Sequence, residues 1–542
     1  MSVAPEHLII APIVVPFLAG ALTLVYDERQ RRAKLAIGLL SCAVTLLAAI
    51  ELLARSKGSD LTGGNDIGFY LLGDWSAPYG IVLVVDRLSA MMLVLTGLLA
   101  LPALIFSAAG THRQGQHFHA MFQFLLMGLN GAFLTGDLFN LFVFFEVLLA
   151  ASYGLLLHGG GEAKVRAGLH YIAVNLAASL LFLVGVSLVY GVTGTLNMAH
   201  LVQLVPALGD DQRPLFHAGA GIMAVAFLVK AGIWPLSLWL PSAYAAGAAP
   251  VAALFAVMTK VGVYVLVRLS FLIFGAHAGA SSAGFGAQIL LAGGLATLAF
   301  GLLGVLASRE MDRVAAFMVM ISSGTVIAAV GIVTGGGPAA VLSAALFYML
   351  GSTLAVSAVF LLIEPMRRLG GEAELILDDG TDDYDEPDDD PRPEIVLVFP
   401  GTVTVLSLAF AVTMIASAGL PPLSGFIGKL GMVKGLLENT GRGGWAWGFI
   451  ALLFLSGFAT LIATLRIGIR TFWGSEAIEP PRILALEFAP ILLLVGLLVI
   501  LSVKANVTLG YMVDTTDALL HPTIYAEGVL GAPRAEDAEM ME

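Results

Sequence analysis

Residues Ala231-Gly-Ile-Trp-Pro-Leu-Ser-Leu-Trp-Leu240 align without a gap on Ala418-Gly-Leu-Pro-Pro-Leu-Ser-Gly-Phe-Ile427, with five identities and three conservative pairs. Pro235 falls on Pro422, and Pro421 stands just before it. Proline removes a backbone donor and clashes with the carbonyl one turn earlier, so both helices are expected to break there. The strings sit in apolar stretches 216–247 and 396–437, each far longer than the ~20 residues that cross a bilayer. Glycine and proline are common in membrane helices, but a ten-residue match at symmetric positions points to an internal repeat.

Working outward, fourteen apolar stretches reach spanning length: 7–26, 34–54, 87–109, 118–136, 137–158, 167–191, 216–247, 249–274, 286–307, 313–334, 339–363, 396–437, 446–471 and 485–508. The matched strings lie five spans apart, an odd number, so the chain crosses them in opposite directions. The predicted fold is therefore an all-α polytopic membrane protein of fourteen transmembrane helices. It holds two inverted five-helix repeats, spans four to eight and nine to thirteen, broken at the seventh and twelfth spans. The expected division is 1–117 (three helices and a hairpin), 118–285 (first repeat), 286–475 (second repeat) and 476–542 (last helix and polar tail). Within 63–86, Phe69-Tyr-Leu-Leu and Tyr79-Gly-Ile-Val-Leu-Val-Val read as two strands of a hairpin over one face.

Composition excludes the soluble classes. Of 542 residues, 58% are hydrophobic and 12% charged, where a soluble chain carries roughly 25% charged residues. With 27 Lys and Arg against 39 Asp and Glu there is no basic footprint for nucleic acid. The net charge of −12 comes from one segment: 371–394 holds twelve acids and one base, leaving the rest near neutral. That insert reads as solvated and disordered and lacks the spacing of a calcium loop. The single Cys42 supplies neither an intrachain disulfide nor a thiolate metal cluster, and no cofactor is expected. No basic region precedes the first apolar stretch, so no cleaved signal peptide is read. The odd connections carry fifteen Lys or Arg and the even connections and tails eight. By the positive-inside rule both termini lie outside and the acidic insert in the cytoplasm.

Four charged residues stand where they are costly. Glu146 is tenth in span 137–158, Lys230 sits five residues before the proline of the first break, Lys260 is twelfth in span 249–274, and Lys429 follows Pro422 by seven. Each costs about 2.5–3.5 kcal/mol at mid-bilayer, so they must face one another or water. Structural salt bridging inside the bundle is one reading. Proton transfer is the sharper one: moving Glu146 towards or away from Lys230 lets the lysine hold or release a proton, and Lys260 and Lys429 continue the path through water. Lys429, past its kink on an outward span, is expected nearest the outer surface, as the exit. Asp137 reads equally as a helix cap or a path residue, His170 as an interfacial histidine or a cytoplasmic proton feed, and Arg268 as a snorkelling side chain.

Several strings are specific enough to compare with a known family. Thr135-Gly-Asp-Leu-Phe-Asn-Leu-Phe-Val-Phe-Phe-Glu-Val, Ala167-Gly-Leu-His-Tyr-Ile-Ala-Val-Asn, Gly191-Val-Thr-Gly-Thr-Leu-Asn-Met, Ala248-Ala-Pro-Val-Ala-Ala-Leu-Phe-Ala-Val-Met-Thr-Lys and Gly419-Leu-Pro-Pro-Leu-Ser-Gly-Phe-Ile-Gly-Lys resemble the D-type subunit of Mrp-type (Mrp/Mnh/Pha) monovalent cation/proton antiporters, with wording closest to the proteobacterial Pha branch. The resemblance covers all but the acidic insert and the tail. It implies a fourteen-helix subunit related to the proton-pumping membrane subunits of respiratory complex I. The implied partners are Mrp subunits of the A, B, C, E, F and G types, in the inner membrane of a bacterium. It further implies that Glu146, Lys230, Lys260 and Lys429 are the functional residues, and that proton flow drives Na+ or K+ export. One departure stands out. Pha-like chains usually read Tyr-Leu-Val-His-Ser-Thr-Leu where this one reads Tyr348-Met-Leu-Gly-Ser-Thr-Leu354, so a titratable histidine is replaced by Gly351. The rival reading is a membrane-arm subunit of complex I or a membrane-bound hydrogenase. The member of that class with a lateral helix needs a long amphipathic extension, and 34 residues follow Thr508 here. A non-transporting scaffold has no use for the buried charges.

Overall fold

The structure is a computed structural model that describes residues 7–27, 29–57, 67–369, 396–397, 401–438, 444–473 and 483–534. The acidic insert 371–394 lies outside the described residues. Twelve described helices are long and apolar enough to cross a membrane, and shorter ones complete the crossings. The first three are α1 (His7–Val25), α2 (Arg31–Arg55) and α3 (Arg87–Ser107). Between the last two lies the expected hairpin, β1 (Gly68–Leu71) antiparallel to β2 (Val82–Val85), with Gly68 opposite Val85.

The first repeat runs through α4 (Phe118–Leu134), α5 (Leu138–Leu157), α6 (Glu162–Thr193), the short α7 (Met198–Leu204), the broken crossing α8 (Arg213–Ala231) with α9 (Trp239–Ala246), and α10 (Ala249–Leu272). The second runs through α11 (Ala287–Ala307), α12 (Met311–Thr334), α13 (Ala339–Leu369), the two-residue strand β3 (Val396–Leu397), the broken crossing α14 (Thr402–Ala418) with α15 (Ser424–Glu438), and α16 (Gly444–Trp473). Strand β4 (Ile483–Leu484) pairs with β3 and leads into α17 (Ala485–Val503). Each repeat thus has five crossings, of which the fourth is broken.

Both breaks begin at glycine, ahead of the proline. Gly232 and Gly419 adopt left-handed φ of 70° and 77°, the conformation that ends a helix without steric cost only at glycine. In each case the next amide reaches back to close the motif, Ile233 to the Leu228 carbonyl and Leu420 to the Ile415 carbonyl, at 3.0 and 3.1 Å. Proline then prevents the helix from resuming until α9 or α15. The peptide bonds before Pro235 and before Pro422 are both cis.

The stretch after the last crossing, expected as a polar tail, forms α18 (Ala505–Leu520) and α19 (Pro522–Leu530). These fold back over the bundle against α3, α7, α10 and α13. Tyr511, Met512, Thr515, Thr516 and Leu519 are buried there, one stripe at helical spacing. His7, at the start of α1, stacks edge-on against Tyr70 of the hairpin, so the described ends of the chain lie at the same end of the bundle.

At that end Arg268 corrects its expected role. It is 5% exposed and makes a two-toothed ion pair with Asp86, at 2.5 and 2.7 Å. Arg268 also donates to the Tyr264 hydroxyl, which in turn donates to the Phe133 carbonyl. It lies over the ring of Tyr525 from α19. It has a carboxylate within the protein and does not snorkel. Burial works against ionising Asp86, but the Arg268 guanidinium and the amide and hydroxyl of Ser89 outweigh it, holding the carboxyl below its ordinary range.

Candidate functional site

Helix α10 is buried along its whole length, as befits a helix apolar on every side. It packs against α8 of the first broken crossing and against α12 and α13 of the second repeat, and α13 in turn packs against α14 and α15 of the second broken crossing. The three buried ammonium groups stand on α8, α10 and α15. Lys230, Lys260 and Lys429 are 0, 1 and 3% exposed.

Glu146, on α5, is half-buried on the flank that also exposes Val143 and Ala150. Its carboxylate accepts a hydrogen bond from the Ser179 hydroxyl of α6. Lys230 stands in the last turn of α8, just before the break. Its Nζ makes no hydrogen bond among the described residues. It lies instead 5.5 and 5.9 Å from the ring centres of Phe145 and Tyr171, whose negative faces hold a cation. Glu146 and Lys230 therefore make no salt bridge here. Each is held by a different neighbour.

Lys260 donates to the hydroxyls of Ser322 and Ser323 on α12, at 2.9 and 3.1 Å. Ser322 in turn bonds Ser352 of α13 at 2.8 Å. Ser352 lines a cavity with Met318, Ile321, Tyr348, Val356, Ser417 and Thr460. Ser417 stands just before the second break and is followed by Ala418, whose carbonyl accepts from Lys429 Nζ at 3.0 Å. Sequence position put Lys429 nearer the outer surface. Its backbone does lie past the break, but helix side chains lean towards their own N-terminus, so the ammonium returns to the break itself. Glycines make room for it. A Cβ at Gly457 of α16 would come within 2.6 Å of Lys429 Nζ, and one at Gly419 within 3.0 Å.

Extending the register of the matched strings by one residue, Lys230 falls on Ser417, and by two residues at the other end Lys429 falls on Ser242. The repeats thus carry their lysines on opposite sides of equivalent breaks. Pro235, Pro421 and Pro422 all stand in the breaks, outside the helices.

The other two candidates stand apart from these groups. Asp137 caps α5, accepting from the amides of Phe139 and Asn140 at 2.8 Å each. His170 is exposed near the start of α6. Sequence reasoning passes over Ser179, Ser322, Ser323, Ser352, Ser417 and Gly457. Hydroxyls and glycines carry no charge to betray them in an apolar run, and only the packing of α6 on α5 and of α10, α12, α13, α14 and α16 among themselves brings them to Glu146 and the lysines.

Comparison with known proteins follows the same layout. A family profile described as NADH:quinone oxidoreductase/Mrp antiporter, TM, matches residues 135–379, a range that includes Glu146, Lys230 and Lys260. The chain is 51% identical over 541 residues to a protein of Rhizobium meliloti (strain 1021) named as the probable D-type subunit of a K(+)/H(+) antiporter, covering 98% of each. It is 33% identical over 532 residues to the D-type subunit of a Na(+)/H(+) antiporter of Alkalihalophilus pseudofirmus, covering 97% of this chain and 99% of the relative. Among solved structures, a chain of the Mrp complex from Dietzia sp. DQ12-45-1b superposes with a TM-score of 0.79 at 26% identity, covering 97% of this chain and 99% of that one. A chain of respiratory complex I from Thermus thermophilus shares the fold, with a TM-score of 0.72 at 21% identity over 95% of this chain and 99% of that one.

Proposed function

The chain belongs to the family of D-type subunits of multisubunit monovalent cation/proton antiporters, and from that premise we propose that it is the proton-translocating subunit of an assembly that exports Na+ or K+ in exchange for protons. The partners are the other Mrp-type subunits, and the setting is the bacterial inner membrane, with both termini outside. The division at residues 117, 285 and 475 separates an N-terminal cap, two pseudo-symmetric halves of the path, and a closing helix with its tail.

The observation that carries this reading is a set of buried ammonium groups, Lys230, Lys260 and Lys429, with Lys260 on the fully buried α10 and none of them in a salt bridge among the described residues. A structural pair would place carboxylate against ammonium. Here rings, hydroxyls and a carbonyl hold each charge, partners that a neutral amine also tolerates. Glu146 stands at the head of the proposed path. With Ser179 holding its carboxylate, a small turn of the side chain brings it towards Lys230 or away, and favours the charged or the neutral lysine accordingly. Its half-exposed flank suits a surface covered by a neighbouring subunit, from which protons pass in or out. Helix α10 carries the path to Lys260, and Lys429 closes it at the second break.

The redox-arm alternative shares the fold. The packing of α18 and α19 onto this chain's own bundle speaks only against the member of that class with a lateral helix. The 51% identity to the subunit named for a K(+)/H(+) antiporter, over 98% of both chains, favours the antiporter.

The test is antiport in everted vesicles from cells expressing the full set of subunits, read as cation-dependent recovery of a quenched pH dye. Glu146→Gln, Lys230→Ala and Lys429→Ala are each expected to abolish recovery while the complex still assembles. Wild-type recovery in any one removes that residue from the path.

A further inference from the structure

Between Lys260 and Lys429 the path must pass α13. From 339 to 363 that helix carries no aspartate, glutamate, histidine, lysine or arginine. A side chain at Gly351 would run into α15, since a Cβ there would lie 2.6 Å from Ser424 Oγ and 3.1 Å from Ser424 Cβ. What does cross α13 is a run of hydroxyls. Lys260 Nζ donates to Ser322 Oγ at 2.9 Å, Ser322 Oγ meets Ser352 Oγ at 2.8 Å, and Ser352 opens on the cavity that Ser417 and Thr460 line from the far side. Ser417 Oγ is buried and makes no hydrogen bond among the described residues. The next residue's carbonyl holds Lys429.

Resting on the lysine relay set out above, we propose that Ser322 and Ser352 conduct the proton from Lys260 to the cavity under the second break, and that Ser417 and a single water, which the cavity of about 10 Å³ just admits, hand it to Lys429. Hydroxyls suit this task because each is both donor and acceptor. The transfer balances atom by atom. The Lys260 ammonium gives a proton to Ser322 Oγ as Ser322 gives its own to Ser352 Oγ, and Ser352 gives its own to the cavity water. That water gives one of its own to Ser417 Oγ as Ser417 gives its own to the Lys429 amine. Each hydroxyl gains one proton and loses one, Lys260 is left as the neutral amine, and the neutral Lys429 amine becomes ammonium. Ser352, which donates to the Met349 carbonyl at 3.2 Å, turns its hydrogen towards the cavity for the last step. A hydroxyl can be rotated at little cost where a histidine ring would need space that Ser424 fills.

The experiment measures antiport by the fully assembled complex in everted vesicles, for Ser322→Ala, Ser352→Ala, Ser352→Thr and Lys429→Ala. Each serine-to-alanine variant is expected to lower antiport by about 100-fold, the scale of a lost proton-transfer group, with the cation KM unchanged. Ser352→Thr, which keeps the hydroxyl, is expected to retain most of the rate. Loss in Ser352→Thr equal to that in Ser352→Ala overturns the proposal in favour of packing. Wild-type rates in both serine-to-alanine variants with Lys429→Ala inactive remove the hydroxyl link and leave the lysine relay standing. Wild-type rates in all of them, Lys429→Ala included, sink the relay as well.

Discussion

Lys429 shows how a single buried charge is accommodated. Its ammonium folds back to the Ala418 carbonyl, a group left free because the helix stops at Gly419. Gly457, on α16, clears the space on the other side. The lysine is plain in the sequence, a charge in an apolar run. The glycine that seats it is not, since glycine is frequent in membrane helices and this one lies 28 residues further along the chain. The serines around Lys260 are hidden for the same reason. Gly457→Ala is expected to displace both the Ala418 carbonyl and the Lys429 ammonium it holds, because the added methyl would run into that oxygen and stand 2.6 Å from Nζ. Overpacking of that kind costs about 1–3 kcal/mol. Antiport should fall roughly ten-fold or more at that cost, with assembly retained. An unchanged rate would show that the side chain can relocate without loss of function.

Among the elements, the breaks are legible in the sequence and the C-terminal cap is not. Prolines at 235 and 422 announce the interruptions, although the helices end earlier, at the glycines whose left-handed backbone lets the following amides satisfy the last carbonyls. The cap escapes because threonines and a tyrosine form much of its buried stripe, so α18 looks polar when read residue by residue. It is tied down at one corner of the bundle, where Tyr511 donates to the Arg87 carbonyl and Tyr525 lies under Arg268. The Asp86–Arg268 pair holds the hairpin to α10 at that corner. Truncating one partner of a buried pair strands the other charge and costs about 3–5 kcal/mol. Arg268→Ala is therefore expected to lower the thermal unfolding temperature of the detergent-solubilised complex and to open α18–α19 to protease. The pH dependence has a definite sign. Asp86 ionises below its ordinary value of 3.8, so its contribution is complete above that value and fades only as pH falls through the lower folded value. The melting difference between wild type and Asp86→Asn should hold constant from about pH 8 to pH 5. A difference that shrinks across that window would contradict the pairing.

For the molecule as a whole, fourteen crossings and an inverted repeat can be read from hydropathy and one ten-residue match, because the bilayer leaves few ways to satisfy a backbone. The order of the functional groups needs the fold. Spacing along the chain does not tell that α10 lies between the breaks, or that Lys230 and Lys429 occupy opposite sides of equivalent kinks. In the proposed path that arrangement places Lys260 at the centre, with α8 of the first repeat on one side and the serines of α12 and α13 on the other.

In the proposed mechanism these lysines gain and lose protons and do more than supply fixed charge. Lys260→Arg separates the two roles, since arginine keeps the positive charge and the donors but does not release its proton in a protein. Measured as proton-driven cation exchange by the assembled complex in proteoliposomes, Lys260→Arg is predicted to be as inactive as Lys260→Ala. Exchange at the wild-type rate in the arginine variant, with the alanine variant inactive, would show that a standing charge suffices and that no proton passes through Lys260.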